Sequence, residues 1–224
     1  VHATLNAEWD GYRWGPVSTR DRDSGLMDEA GYFHQWNEAV TANAKPEAVA
    51  VEVNAQVERA LAAGIDVTHV DSHMGTIIHP NFVQSYLQAG MMRLLPNMLP
   101  RVTARGFDMM GIDESALAMY APILNQLEAQ GVPMLDGLFS MPLEHDNDHV
   151  GAAKKLLSEV PAGITHLILH PSIDTPELRA ICPDWRARVA NYHAFMSAEL
   201  KDFIKDSGIH LIGYRAIRDA MRAG

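Results

Sequence analysis

The chain has 224 residues, 47% of them hydrophobic and 21% charged, with 18 basic against 28 acidic side chains and a formal net charge of −10. That composition belongs to a globular protein rather than a disordered or fibrous one, and the lack of any basic cluster argues against a nucleic-acid groove or an anionic membrane surface as partner. A single cysteine, Cys182, excludes an intrachain disulfide and a cysteine-based zinc site, and no apolar run approaches the ~20 residues of a membrane span.

The chain opens on "VHATLN", which reads as a strand headed by His2. It starts without an initiator methionine and inside that strand, so a further segment upstream is expected. No signal-peptide pattern is visible, and a cytoplasmic location is the matching expectation. Residues 7–37 show no periodicity and predict one long loop, of the kind that in compact domains is functional or disordered. Trp9, Trp14 and Trp36 lie in it with Tyr12, Tyr32 and Phe33, which argues for order and for a lid or wall over a site. Trp9 and Trp14 are candidate platforms for a sugar ring. The competing expectation is an aromatic cluster that packs the loop down.

Next, "VNAQVERALAAG" places Val53, Val57 and Leu61 at helical spacing, with Gly64 fitting the helix end. "DVTHVDSH" then switches to period two. In a strand, His69, Asp71 and His73 share one face while Thr68, Val70 and Ser72 share the other. Three ionisable groups on one face are costly unless they meet metal, water or each other. His73 would sit at the strand's C-terminal end, and Asp71 is a candidate to touch substrate. His79 precedes Pro80, and either ligates or opens the next helix. Arg93, in "GMMRLLP", is a candidate holder of a carboxylate or oxyanion, against the alternative of a surface arginine.

The helix–Gly–strand rhythm returns at "APILNQLEAQGVPMLDG", "AAKKLLSEVPAGITHLILHP" and "SAELKDFIKDSGIHLIGY". After the predicted strand "PMLD", "GLFSMPLEHDNDHVG" reads as a loop carrying His145 and His149. "THLILH" is a compact apolar strand that ends at His170, because Pro171 cannot continue a ladder. Strands alternating with helices predict a parallel sheet. With no G-x-G-x-x-G and no P-loop, the expected fold is α/β, a distorted (β/α) TIM-like barrel with residues 1–224 in a single domain.

For chemistry, there is no G-x-S-x-G and no H-E-x-x-H, and no histidine pattern accompanies Cys182. Histidines at strand ends fit a divalent metal that activates water against a carbonyl carbon, with one rim histidine as acid or base.

"VHATLNAEWDGYRWGPVS", "SGLMDEAGYF", "THVDSH" and "LILHP", in that order, closely resemble the YdjC-like carbohydrate deacetylase family, which includes chitooligosaccharide deacetylases and hopanoid-pathway homologues. The resemblance spans most of the chain, and the closing "GIHLIGYRAI" looks like the family's last strand and helix. It implies a first metal histidine at His2, a second at His73 and a catalytic acid at His170. It also implies a distorted barrel and removal of an N-acetyl group from a small-molecule or oligosaccharide substrate, with a divalent metal, Mg or Zn. A homo-oligomer is compatible with it.

Two departures qualify the resemblance. The family's "NADDFG"-like segment, source of an aspartate ligand, would lie upstream of Val1, and a molecule without it is expected to bind metal weakly. Where many members continue "DSH" with a histidine-rich run, Met74, Gly75 and Thr76 stand, at positions expected to face the sugar. Alternatives are a metal-dependent barrel amidohydrolase acting on a non-sugar amide, and a sugar-binding homologue with impaired catalysis.

Overall fold

Regular structure starts at β1 (His2–Ala3), followed by α1 (Asn37–Asn43), α2 (Pro46–Ala62) and β2 (Asp71–Ser72). A 3-10 segment (His73–Ile78) leads into α3 (Val83–Met91). The computed structural model describes residues 1–107, 114–144 and 148–223, which fall into two compact units. The first joins Val1–Met98 to the C-terminal Gly213–Gly224; the second is Leu99–Ile212.

In the first unit β1 pairs in parallel with β2, His2 against Asp71 and Ala3 against Ser72. On β2's other side Val70 bridges in parallel to Asn97, with Val70 N–H donating to the Pro96 carbonyl at 3.0 Å and Met98 N–H to the Val70 carbonyl at 3.1 Å. The "THVDSH" strand is therefore shorter than predicted and gives way to the 3-10 segment at His73. Its alternation holds from Val70 onward: Val70 and Ser72 are buried, while Asp71 and His73, like His69, are half-exposed; Thr68, expected to share the face of Val70 and Ser72, is half-exposed too.

Helix α2 starts on Pro46, which lacks the N–H that a first turn leaves unpaired. It buries Val49, Val53 and Val57 completely, each contributing about 1.5–3 kcal/mol. Leu61, predicted on the same stripe, is 41% exposed because the helix runs out there. Gly64 ends it at φ 77°. The same face buries Glu52, whose carboxylate accepts from the N–H groups of Val17 and Ser18, from the Ser18 hydroxyl and from the Gln56 amide. That staple orders the 7–37 loop, which otherwise holds one 3-10 turn (Arg22–Ser24) and a Met27–Phe33 bridge.

The second unit runs β3 (Pro100–Arg105), α4 (Glu114–Ala129), β4 (Leu135–Ser140), α5 (His149–Ser158), β5 (Thr165–Ile168), α6 (Pro176–Ile181), α7 (Trp185–Met196) and α8 (Ala198–Asp206). Its three strands are parallel, in the order β3–β4–β5. The predicted strand "PMLD" starts at Leu135, two residues later than expected, and continues through "GLFS", which the sequence had as loop. Gly137 is the reason: it pairs with Thr165, and a Cβ there would meet the Thr165 hydroxyl at 2.6 Å. It permits close approach of β5 rather than a turn. Phe139, Met141, Ala153, Leu156, Leu157, Leu200 and Ile204 form the core between this sheet and the helices.

The closing "GIHLIGY" is not a strand. Leu211 and Ile212 are 78% and 60% exposed, with no strand neighbour among the described residues, and a C-terminal helix (Tyr214–Ala223) follows. The parallel α/β class expected from the sequence stands. Among the described residues the strands form one two-stranded and one three-stranded sheet, and no helix is long and apolar enough to cross a membrane.

Candidate active site

Pairing β1 with β2 sets His2 beside Asp71, and the chain's turn into the 3-10 segment brings His73 alongside. His2 Nδ1 lies 2.9 Å from Asp71 Oδ2, His2 Nε2 lies 3.3 Å from His73 Nδ1, and His73 Nε2 lies 2.9 Å from Glu8 Oε2. The two rings meet edge to face, 5.2 Å apart. Ionised carboxylates only accept hydrogen bonds. Asp71 therefore accepts a hydrogen bond from His2 Nδ1–H, and Glu8 one from His73 Nε2–H. The two remaining ring nitrogens, His2 Nε2 and His73 Nδ1, face one another, and with both rings neutral each carries a lone pair.

Facing lone pairs at 3.3 Å repel unless a cation or a proton lies between them. Two imidazole nitrogens on one zinc at ~2.1 Å stand about 3.0–3.4 Å apart for angles from octahedral to tetrahedral. The donor pair thus fits half of a divalent-metal site, with a carboxylate behind each ring setting its tautomer. Among the described residues no group of three His, Cys, Asp or Glu side chains converges to hold a metal; the histidine pair supplies two donors. Burial pushes the Asp71 carboxyl up, but the hydrogen bond from His2, then the His2 and His69 rings beside it, hold it below its ordinary value.

Around this row stand aromatic rings. Trp14 is 6.3 Å from the His73 ring, with Trp9 edge-on at 6.0 Å and Tyr12 tilted at 6.3 Å. Trp9 and Trp14 pack on each other and Trp14 reaches the His73 ring, the aromatic cluster that packs the loop down. His69, third member of the predicted face, stacks on Tyr214 with centroids 4.0 Å apart. Arg93 does not join the site: its described bonds go to Glu58, Asn54 and the Ala89 carbonyl, as a helix-to-helix clamp. His79 opens α3, its carbonyl accepting from Phe82 and Val83 N–H and its ring lying on Phe82.

In the second unit, His170 follows β5 by two residues, at its C-terminal end, as the His-Pro motif predicts. His149 is buried in the first turn of α5, and neither ring nitrogen has a hydrogen-bond partner among the described residues. His145 lies outside the described residues. Cys182 is buried, its thiol on Asp184 Oδ1 at 2.7 Å.

Sequence reasoning missed Glu8 and the partners Asn6 and Asn37; Thr76, expected to face the sugar, is buried and bonds to those two instead. Glu8 is one of several carboxylates in an aperiodic loop, and nothing in its spacing sets it apart from Asp10.

A family model described as YdjC-like protein matches residues 1–206. A carbohydrate deacetylase of Thermus thermophilus is 30% identical over 226 aligned positions, covering 99% of this chain and 78% of that protein. A carbohydrate deacetylase of Thermoanaerobacter pseudethanolicus is 23% identical, covering 97% of this chain and 77% of that protein. A crystal structure from Enterococcus faecalis, described as a cellobiose-phosphate cleavage protein, matches with a TM-score of 0.74 at 22% identity, over 97% of this chain and 76% of that one. At that identity the likeness speaks for the fold alone.

Proposed function

The chain belongs to the YdjC-like protein family, and from that premise we propose that it is a carbohydrate deacetylase that hydrolyses the acetamide of an N-acetylated sugar with the help of a divalent metal, magnesium or zinc. The observation that carries the reading is the row Asp71–His2–His73–Glu8, whose two inward ring nitrogens face each other at 3.3 Å. The two relatives named carbohydrate deacetylase support the choice of a sugar as substrate. The parallel strand order and the structural likeness support a distorted (β/α) barrel as the complete architecture.

His2 Nε2 and His73 Nδ1 would hold the cation. When bound, it supplies Lewis acidity toward the acetamide carbonyl and its attack by water. Asp71 and Glu8 keep each imidazole in the tautomer that leaves its inward nitrogen free. Trp9 and Trp14 offer ring faces to the apolar side of the sugar. As water adds to the carbonyl carbon and the C–N bond breaks, an acid must deliver a proton to the departing nitrogen, the role that the family resemblance implies for His170. The products are acetate and the free amino sugar. In this reading Arg93 remains structural.

The test is acetate release from N-acetylated mono- and oligosaccharides by the zinc- or magnesium-loaded protein. Chelation should abolish it. His73→Ala should lower kcat/KM by more than about 100-fold with the fold intact, since even outer partners of metal ligands cost 10–100-fold. Full activity in His73→Ala sinks the reading. Turnover of non-sugar amides alone moves the substrate class but keeps the site.

A further inference from the structure

Immediately after His73 the backbone does something a methionine resists. Met74 sits at φ 52°, ψ 12° and Gly75 at φ 70°, ψ 1°. Two consecutive left-handed residues turn the chain out of β2, and the first carries a Cβ that clashes in that region. Such conformations persist where the surroundings over-determine them.

Here the surroundings are a polar group reaching the turn from two other segments. The Asn37 amide donates to the Met74 carbonyl at 3.0 Å. The Thr76 hydroxyl lies 2.6 Å from Asn37 Oδ1 and also against Asn6 Oδ1. Asn6 Nδ2 donates to Asn37 Oδ1 at 3.3 Å. Asn6 is fully buried and Thr76 is 3% exposed. Asn37 is the first residue of α1, after the cap residue Trp36, and its side-chain amide points out of the helix at Met74.

We propose that Asn37 is a positioning residue: by pinning the Met74 carbonyl it holds the left-handed turn that aims His73 Nδ1 at His2. The inference rests on the proposed site only in taking the facing nitrogens as its purpose. Without the pin, Met74 relaxes toward the right-handed region, the His73–Met74 peptide rotates, and the His73 ring leaves the line between Glu8 and His2.

The metal-free full chain is read first, by long-range proton–nitrogen spectra of the histidine rings. Wild type should show His73 as one species protonated at Nε2. Asn37→Ala should show exchange-averaged ring nitrogens. Zinc affinity, measured by chelator competition, should fall by about 10–100-fold. Met74→Asn accepts the left-handed region more readily, so Asn37→Ala with Met74→Asn should recover most of that loss. Leu94 is the other described non-glycine residue at positive φ, and Leu94→Gly should recover none of it.

A lower melting temperature in Asn37→Ala with unchanged His73 spectra and zinc affinity overturns the proposal. So does a double variant no better than Asn37→Ala. If the spectra change as expected while no variant, wild type included, binds zinc or releases acetate, the positioning role stands and the proposed function falls.

Discussion

At the scale of single residues, the site depends on the two carboxylates behind its histidines as well as on the histidines themselves. Glu8→Gln keeps an oxygen facing His73 Nε2 but removes the charge. It should weaken zinc binding by roughly 10–100-fold with little change in melting temperature, since one exposed-edge hydrogen bond contributes about 1 kcal/mol. Isothermal titration with zinc checks this, and unchanged affinity would mean that Glu8 does not orient the ring. Cys182 gives the opposite case. Burial, then the neighbouring Asp184, pushes its thiol up to about 11. At neutral pH the thiolate fraction should be roughly 100-fold or more below that of an ordinary cysteine near 8.5. Iodoacetamide should label it slowly in the folded chain and quickly in urea. His2, Asp71 and His73 were legible from motif and alternation. Glu8 was not, because its role depends on a loop crossing back over β2.

At the scale of elements, the 7–37 loop is held by two carboxylates of opposite exposure. Glu52 is buried on α2 and accepts four hydrogen bonds. Glu52→Ala leaves buried donors unmet at about 1–3 kcal/mol each, so a loss near 3 kcal/mol in urea denaturation is expected, with the tryptophan emission changing. Asp28 binds Arg13 at 2.7 Å and accepts from Ala30 and Tyr32 N–H. Burial raises its carboxyl, but the Arg13 and backbone hydrogen bonds outweigh that and hold it below its ordinary value. A folded pKa below the unfolded one gives stabilisation that is complete above about pH 4 and lost as pH falls through the folded value. Tryptophan fluorescence should report loosening of the loop in that acid range, and Asp28→Asn should lack the step. Helices α2, α4, α5 and α8 were legible because their spacing and end signals are local, whereas α1, α6 and α7 were not singled out. Strand limits were not legible: β4 runs through Gly137 for the sake of β5, and "GIHLIGY" has strand-like residues without a strand to pair with.

At the scale of the whole molecule, the first unit is discontinuous in sequence. Its C-terminal helix returns across about 115 residues, with Arg218 buried and bonded to Asp66 and to the Val67 carbonyl at 3.0 Å, and Tyr214 stacked on His69. Ending the chain at Ile212 removes both ties. Hydrogen exchange should then quicken in residues 64–72 more than in the second unit's sheet, and equal quickening everywhere would contradict the division.

The sequence by itself determined the α/β class, the helical segments, the family and the strand-end histidines, because hydrophobic period, helix-end residues and spaced motifs are written in neighbouring positions. Only the tertiary structure decided which groups meet. Hydrogen bonds act over about 3 Å, while the residues they join here, Glu8 with His73 and Asn37 with Met74, lie 65 and 37 positions apart. No local pattern encodes that distance.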